Sequence, residues 1–153
     1  GKKSVKIAID TSIELARHEN IVAVKEAGGN MDYFAKIIEA CGDSLDVYSG
    51  DDGMTVPVMS IGGKGVISVL SNVMPKETHE MCQLCLDNNF AEAGKLQIKY
   101  LSLINALFCD VNPIPVKAAM AKLGYCDEEM RLPLYPMNDT NRARLYKAME
   151  IIK

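Results

Sequence analysis

The sequence predicts an α/β fold in which a parallel sheet alternates with helices and then gives way to an all-helical tail. A strand–loop–helix unit recurs three times, starting near residues 21, 45 and 66. Strands that alternate with helices pair in parallel through βαβ crossovers. From Phe90 onward the apolar residues follow helical spacing alone. With 48% hydrophobic and 24% charged residues over 153 positions, the chain has the composition and length of one globular unit.

Taken in order, Gly1–Ile9 is a short leading segment with Lys2, Lys3 and Lys6. Asp10-Thr11-Ser12 then starts a helix. Thr11 with Glu14 three residues on reads as a capping box. Arg17 and His18 fall in its last turn, where positive charge suits the helix dipole; His18 beside Glu19 reads as a surface residue. The run Ile21-Val22-Ala23-Val24 is a strand, and its unbroken apolar character is the pattern of a strand covered on both faces. Lys25 follows, with the loop Glu26-Ala27-Gly28-Gly29-Asn30. A helix over 31–41 is capped by Asn30 or Asp32 and stopped by Gly42.

The second strand covers 45–49 and ends in Gly50-Asp51-Asp52-Gly53. A helix over 54–61 tolerates Pro57 near its first turn. Gly62-Gly63-Lys64-Gly65 turns into a third strand over 66–70, and a helix over about 75–88 follows. Three strands cannot close a barrel and leave two exposed edges, so the chain reads as part of something larger. In the tail, Leu96, Tyr100, Leu103 and Leu107 are spaced 4, 3 and 4, one stripe of a long helix. Asn112-Pro113-Ile114-Pro115-Val116-Lys117 opens the next helix, which ends at Gly124. Arg131-Leu132-Pro133-Leu134-Tyr135-Pro136 is extended, because residues before proline avoid the α region. Asn138 or Asp139 caps a last helix to about Ile152. No low-complexity linker intervenes, so the tail is expected to pack on the sheet layer, with residues 1–88 forming the sheet part and 89–153 the helical part.

Several function classes fall away. Net charge is −3 without a basic run, so nucleic acid is not indicated. No apolar run approaches the ~20 residues of a membrane helix. Five cysteines, an odd number without a secretory segment, point to reduced thiols and a cytoplasmic location. The nine methionines are explained as core filler.

Lys25 is the leading chemical candidate. A lysine at the end of a buried parallel strand has a dry stem and a head at the rim where ligands gather in α/β folds. Desolvation disfavours the ammonium, so its pKa is expected to fall, and a neutral amine attacks carbonyls to form a Schiff base. The plainer alternative is a strand-end lysine whose head reaches solvent.

Other candidates are weaker. Cys82-Gln83-Leu84-Cys85, with His79, matches half of a zinc or redox motif, but all three fall in one helix and no second pair exists; free thiols on a helix face are the better reading. Asp51 and Asp52 suit acid/base or magnesium chemistry but suit helix capping better. Gly62-Gly63-Lys64-Gly65 precedes a strand, whereas a phosphate loop follows one. Tyr48 reads as a packed sheet residue.

Together, Asn20-Ile21-Val22-Ala23-Val24-Lys25-Glu26-Ala27 with Gly29-Asn30, Ser49-Gly50-Asp51-Asp52, Gly62-Gly63-Lys64-Gly65-Val66-Ile67-Ser68-Val69, Asn112-Pro113-Ile114-Pro115-Val116-Lys117 and Arg131-Leu132-Pro133-Leu134 stand in one register. They resemble the carboxy-terminal half of the dihydrodipicolinate synthase family, within the N-acetylneuraminate lyase superfamily. The resemblance implies the last three βα units of a (β/α)8 TIM barrel plus an all-helical carboxy-terminal domain. Family members are usually homotetramers that condense pyruvate with aspartate semialdehyde on the route to diaminopimelate and lysine, without a cofactor or metal.

Lys25 matches the Schiff-base lysine, and Gly50 and Ile67 match positions lining the pyruvate pocket, Ile67 through its backbone carbonyl. An imine on Lys25 acts as an electron sink, so the pyruvate methyl becomes a carbon nucleophile. The family's earlier strands, with the proton-relay tyrosine and threonine, the tyrosine from a neighbouring subunit and the feedback lysine site, have no counterpart in this sequence. The arginine that grips the aldehyde's carboxylate falls near Lys2, and lysine lacks the bidentate fork, so that role is not carried over. The chain is expected to be a fragment inactive alone, and a homo-oligomer or the complement of an amino-terminal half. A non-catalytic half-barrel assembly unit, or another pyruvate aldolase of the superfamily, is the alternative.

Overall fold

The computed structural model describes residues 7–152. The leading lysines Lys2, Lys3 and Lys6 lie outside the described residues. Three parallel strands, β1 (Ala23–Glu26), β2 (Asp46–Ser49) and β3 (Gly65–Val66), form one sheet in the order β1-β2-β3. Lys25 stands opposite Tyr48, and Tyr48 opposite Gly65. The helices are α1 (Ile9–Leu15), α2 (Met31–Cys41), α3 (Thr55–Ser60), α4 (Pro75–Leu86), α5 (Phe90–Leu107), α6 (Ile114–Lys122) and α7 (Asp139–Ala148), with short 3-10 turns at Asp52–Met54, Leu70–Asn72 and Met149–Ile151. The alternation followed by a helical tail is therefore as expected. No helix among the described residues is long and apolar enough to cross a membrane.

Among the described residues only one sheet face is packed. Phe34 and Ile37 from α2 and Val58 from α3 meet Val47 of β2, with Val24 of β1 packed beside them. Burying each such side chain contributes roughly 1.5–3 kcal/mol. Side chains alternate along a strand, so Lys25 and Tyr48 project from the other face, and β1 alternates exposed and half-buried residues. The expectation of a strand covered on both faces is thus incorrect. Val22 is 67% exposed, and the strand runs two residues later than the apolar run suggested, because pairing rather than hydrophobicity fixes it: Asp46 N–H donates to Val22 O at 2.9 Å and the ladder then runs from Ala23 to Glu26.

The helix starts show local chemistry at work in some places and overridden in others. Asn30 caps α2 by accepting from Tyr33 N–H at 3.2 Å, and Asn138 caps α7 by accepting from Asn141 N–H at 2.9 Å. Gly42 follows the last residue of α2 with φ still at −61°, and a Cβ there would lie 2.5 Å from Ile38 O, so the position takes glycine for space. Gly124 ends α6 with φ at +81°. Its N–H donates to Ala121 O and the Tyr125 N–H to Met120 O, both at 3.0 Å, a Schellman arrangement.

The capping box at Thr11 does not form. The helix begins at Ile9 after Ala8, with no side-chain cap, because Ile9 packs against the core under the sheet and draws the N-cap from Thr11 to Ala8, three residues earlier. That helix also ends at Leu15, so Arg17 and His18 lie beyond it; His18 Nδ1 accepts from Asn20 N–H at 3.2 Å.

The third strand is two residues long, not five. Ile67 N–H still donates to Ser49 O at 2.7 Å, but the next amides, Val69 and Leu70, are taken by the carboxylate of Asp52, so the chain turns into a 3-10 helix instead of extending the ladder. The largest apolar cluster joins Leu70, Met81, Leu103, Leu107, Ile114 and Leu145, all at most 1% exposed, and binds α4, α5, α6 and α7 together. The Leu96–Leu107 stripe of α5 faces it as expected.

Candidate active site

The site is built where β1 and β2 end. Ser49, fully buried, closes a tight loop on itself: its Oγ donates to Asp51 O at 2.8 Å and accepts from Asp51 N–H at 3.1 Å. Asp51 then accepts from Gly53 N–H at 2.8 Å, the cap expected of it. Between these residues lies Gly50. A Cβ there would come within 2.6 Å of Lys25 Cε, 3.2 Å of Lys25 Cγ and 2.7 Å of Ala27 Cβ. The aliphatic stem of Lys25 therefore lies directly over the Gly50 backbone, and only glycine lets it do so. One strand further on, the ring of Tyr48 covers Gly65, where a Cβ would lie 3.3 Å from Cε1. Tyr48 is thus a packed sheet residue.

A cleft of about 660 Å³ opens at this point. Lys25, Ala27, Gly50 and Asp51 line it from the strand ends, and Asn105 and Phe108 from the end of α5. Two of the expected site residues, Lys25 and Gly50, are brought together. Ile67 is not in that lining: it follows β3, bonded to Ser49 through its N–H, and is 49% exposed.

Lys25 itself is exposed, not sheltered in the dry setting expected of it. The physical reason is the uncovered sheet face. Sequence reasoning missed the wall from α5, together with Val111 and Asn112 beyond it. Phe108 and Val111, off the stripe that fills the core, are apolar yet 40% and 50% exposed, a fact that emerges only with the fold.

The cysteine pair behaves as inert packing. Cys85 is buried in α4 and burial, with Cys82 beside it, pushes its thiol up to about 11. Burial also raises Cys82, against a bond to the Val66 backbone. His79 is exposed while Cys85 is buried, and no group of three metal-ligating side chains gathers among the described residues.

Residues 1–152 match the model of the Dihydrodipicolinate synthetase family. The 4-hydroxy-tetrahydrodipicolinate synthase of Citrifermentans bemidjiense is 43% identical over 153 residues, all of this chain but 53% of the relative. That of Geobacter sulfurreducens is 43% identical over 150 residues, 98% of this chain and 52% of the relative. Among solved structures, dihydrodipicolinate synthase from Aquifex aeolicus superposes with a TM-score of 0.92 at 44% identity, covering 95% of this chain and 50% of that one. The chloride-inhibited dihydrodipicolinate synthase of Acinetobacter baumannii, solved with pyruvate, gives 0.91 at 38% identity, covering 95% and 50%. The chain spans about half the length of the curated relatives it matches. On a match that runs from end to end of the sequence, this chain belongs to the dihydrodipicolinate synthetase family.

Proposed function

We propose that this chain carries the Schiff-base half of a pyruvate-dependent lyase that condenses pyruvate with aspartate semialdehyde. In this reading residues 1–88 are the last three βα units of a (β/α)8 barrel and residues 89–153 an accessory helical domain. The uncovered face of the sheet is the inner wall of that barrel, and a homo-oligomer or a complementing amino-terminal half supplies the remaining cover. The reading extends to the cytoplasm, where the five free cysteines would stay reduced.

One observation carries the proposal: the Lys25 stem lies over Gly50 at the mouth of a cleft, in a chain matched throughout by this family. The chemistry follows from that lysine. Its neutral amine adds to the C2 carbonyl of pyruvate, water leaves, and the iminium withdraws electrons from the adjacent methyl. Loss of a methyl proton gives an enamine, whose carbon attacks the aldehyde of the second substrate. Gly50 supports the first step by leaving room for the lysine stem, and Ile67 contributes its backbone carbonyl at the edge of the pyruvate pocket.

The test is to incubate the chain with pyruvate, reduce with borohydride and map the adduct by mass. A single reduced adduct on Lys25 is expected. It should vanish in Lys25→Ala and fall about tenfold in Gly50→Ala, where the new methyl collides with the lysine stem. An unmodified wild-type Lys25 would sink the catalytic reading and leave the assembly-unit alternative standing.

A further inference from the structure

The segment that follows β3 is held by an uncommon device. Asp52 is 2% exposed, yet no cation pairs with it among the described residues. Its carboxylate instead accepts from the Ser68 hydroxyl, from Val69 N–H at 2.9 Å and from Leu70 N–H at 3.2 Å. Its own carbonyl accepts from Thr55 Oγ1 and from Gln97 Nε2, each at 2.9 Å. Gln97, 6% exposed on α5, turns its other end to accept from Val56 N–H at 3.2 Å. Ser68 Oγ also accepts from Ser71 N–H at 2.8 Å.

Burying a carboxylate is costly unless donors fully satisfy it. Here one hydroxyl and two amides do so, and charge-assisted bonds of this kind are about twice as strong as neutral ones. A simple helix cap would not need such depth. The residue immediately before this clasp is Ile67, whose N–H is bonded to Ser49 O at 2.7 Å, one residue before Gly50.

We infer that Asp52 is a positioning residue for the Lys25 site: it clasps residues 68–70 to the end of β2, so that Ile67 is held in register beside Gly50, and Gln97 anchors the clasp to the helical tail. The inference rests on the proposed role of Ile67 in the pyruvate pocket. It gives the helical half a part in setting the site, because α5 reaches the pocket through Gln97 and Asp52 as well as through its own end.

Hydrogen exchange and pyruvate trapping on the same proteins test it. In Asp52→Ala the Ile67, Val69 and Leu70 amides should exchange about tenfold faster or more, while the amides of β1 keep their protection. The pyruvate concentration that half-saturates borohydride trapping should rise about tenfold, with a smaller change in the maximal rate. Asp52→Asn keeps an acceptor for Val69 and Leu70 and should restore both measures to within about threefold.

Unchanged exchange at Ile67 in Asp52→Ala overturns the inference. So does protection lost evenly along the sheet, which would give Asp52 a general structural role. If Asp52→Ala does not fold, Ser68→Ala removes one donor and should loosen Ile67 in the same direction to a smaller degree; unaltered Ile67 exchange there is equally fatal. A wild-type chain that traps no pyruvate defeats the Schiff-base reading, while the exchange result still decides the role of Asp52.

Discussion

The sheet half and the helical half of this chain are built to different densities. In β1 no residue is buried; the strand shows solvent a lysine, and among the described residues no further strand pairs with its outer edge. In the helical half Leu103, Ile104, Leu107, Ile114 and Leu145 are each at most 1% exposed. The difference teaches where stability and candidate chemistry reside. Apolar packing is concentrated on α4 to α7, while Lys25 and Gly50 sit where packing is thinnest. A site that must admit a substrate cannot be filled by side chains, and strongly packed elements nearby compensate for it.

The contrast is broken or confirmed most directly by truncating one side chain in each half. Leu107→Ala should cost roughly 2–5 kcal/mol, because a fully buried leucine leaves a cavity that helix packing cannot close. Val22→Ala, at a 67% exposed position, should stay within about 0.5 kcal/mol. Urea unfolding of both variants measures this. A large cost for Val22→Ala would mean that the β1 edge is covered in solution by another chain, and the asymmetry would belong to the isolated subunit alone.

A smaller effect tests whether the helical half is also fastened by charge. Arg142 on α7 meets Glu128 in a two-pronged pair at 2.5 and 2.6 Å, about a quarter exposed, and donates to Met137 O at 3.0 Å. The bond from Arg142 holds the Glu128 carboxyl below its ordinary range. A carboxyl depressed in the folded state adds stability above its unfolded pKa of about 4.3 and loses it as pH falls through the folded value. Glu128→Gln should therefore cost about 1–2 kcal/mol at pH 7, and the gap should close as pH falls below the unfolded carboxyl range and through the depressed folded value. Thermal unfolding across that range reads it; a gap that stays constant with pH would assign the effect to packing.

What could be read in the sequence follows the same divide. The α5 stripe, the α2 and α7 caps and the Gly124 stop were legible because each depends on residues within a turn or two of one another. Lys25 and Gly50 were singled out through their place in a family pattern, and the fold puts the stem of one over the backbone of the other. The errors fell where distant residues decide. Ile9 overrode the Thr11 box by packing beneath the sheet. Asp52 shortened β3 from sixteen to eighteen positions away. Lys25 was expected to be desolvated, but its surroundings depend on an uncovered face that no local pattern reports. The cleft wall at Asn105 and Phe108 was invisible for a related reason: it exists only once α5 is laid across the ends of β1 and β2.

The smallest expected effect bears on whether the two halves unfold together. Asn30 and Asn138 make the same cap in different halves, at 3.2 and 2.9 Å. Replacing either by alanine should cost about 1 kcal/mol. The cores they serve are separate clusters, one around Phe34 and Val47, the other around Leu103 and Leu145. Asn30→Ala should thus accelerate amide exchange about fivefold in α2 and the strands while leaving α6 and α7 unchanged. Asn138→Ala should do the reverse. Equal acceleration in both halves would make them one cooperative unit, fused by the Asp52–Gln97 clasp together with the packing of Met59 on Cys85 and Ala93. A confined response makes that clasp a joint between two units, one that carries the lysine and one that holds it up.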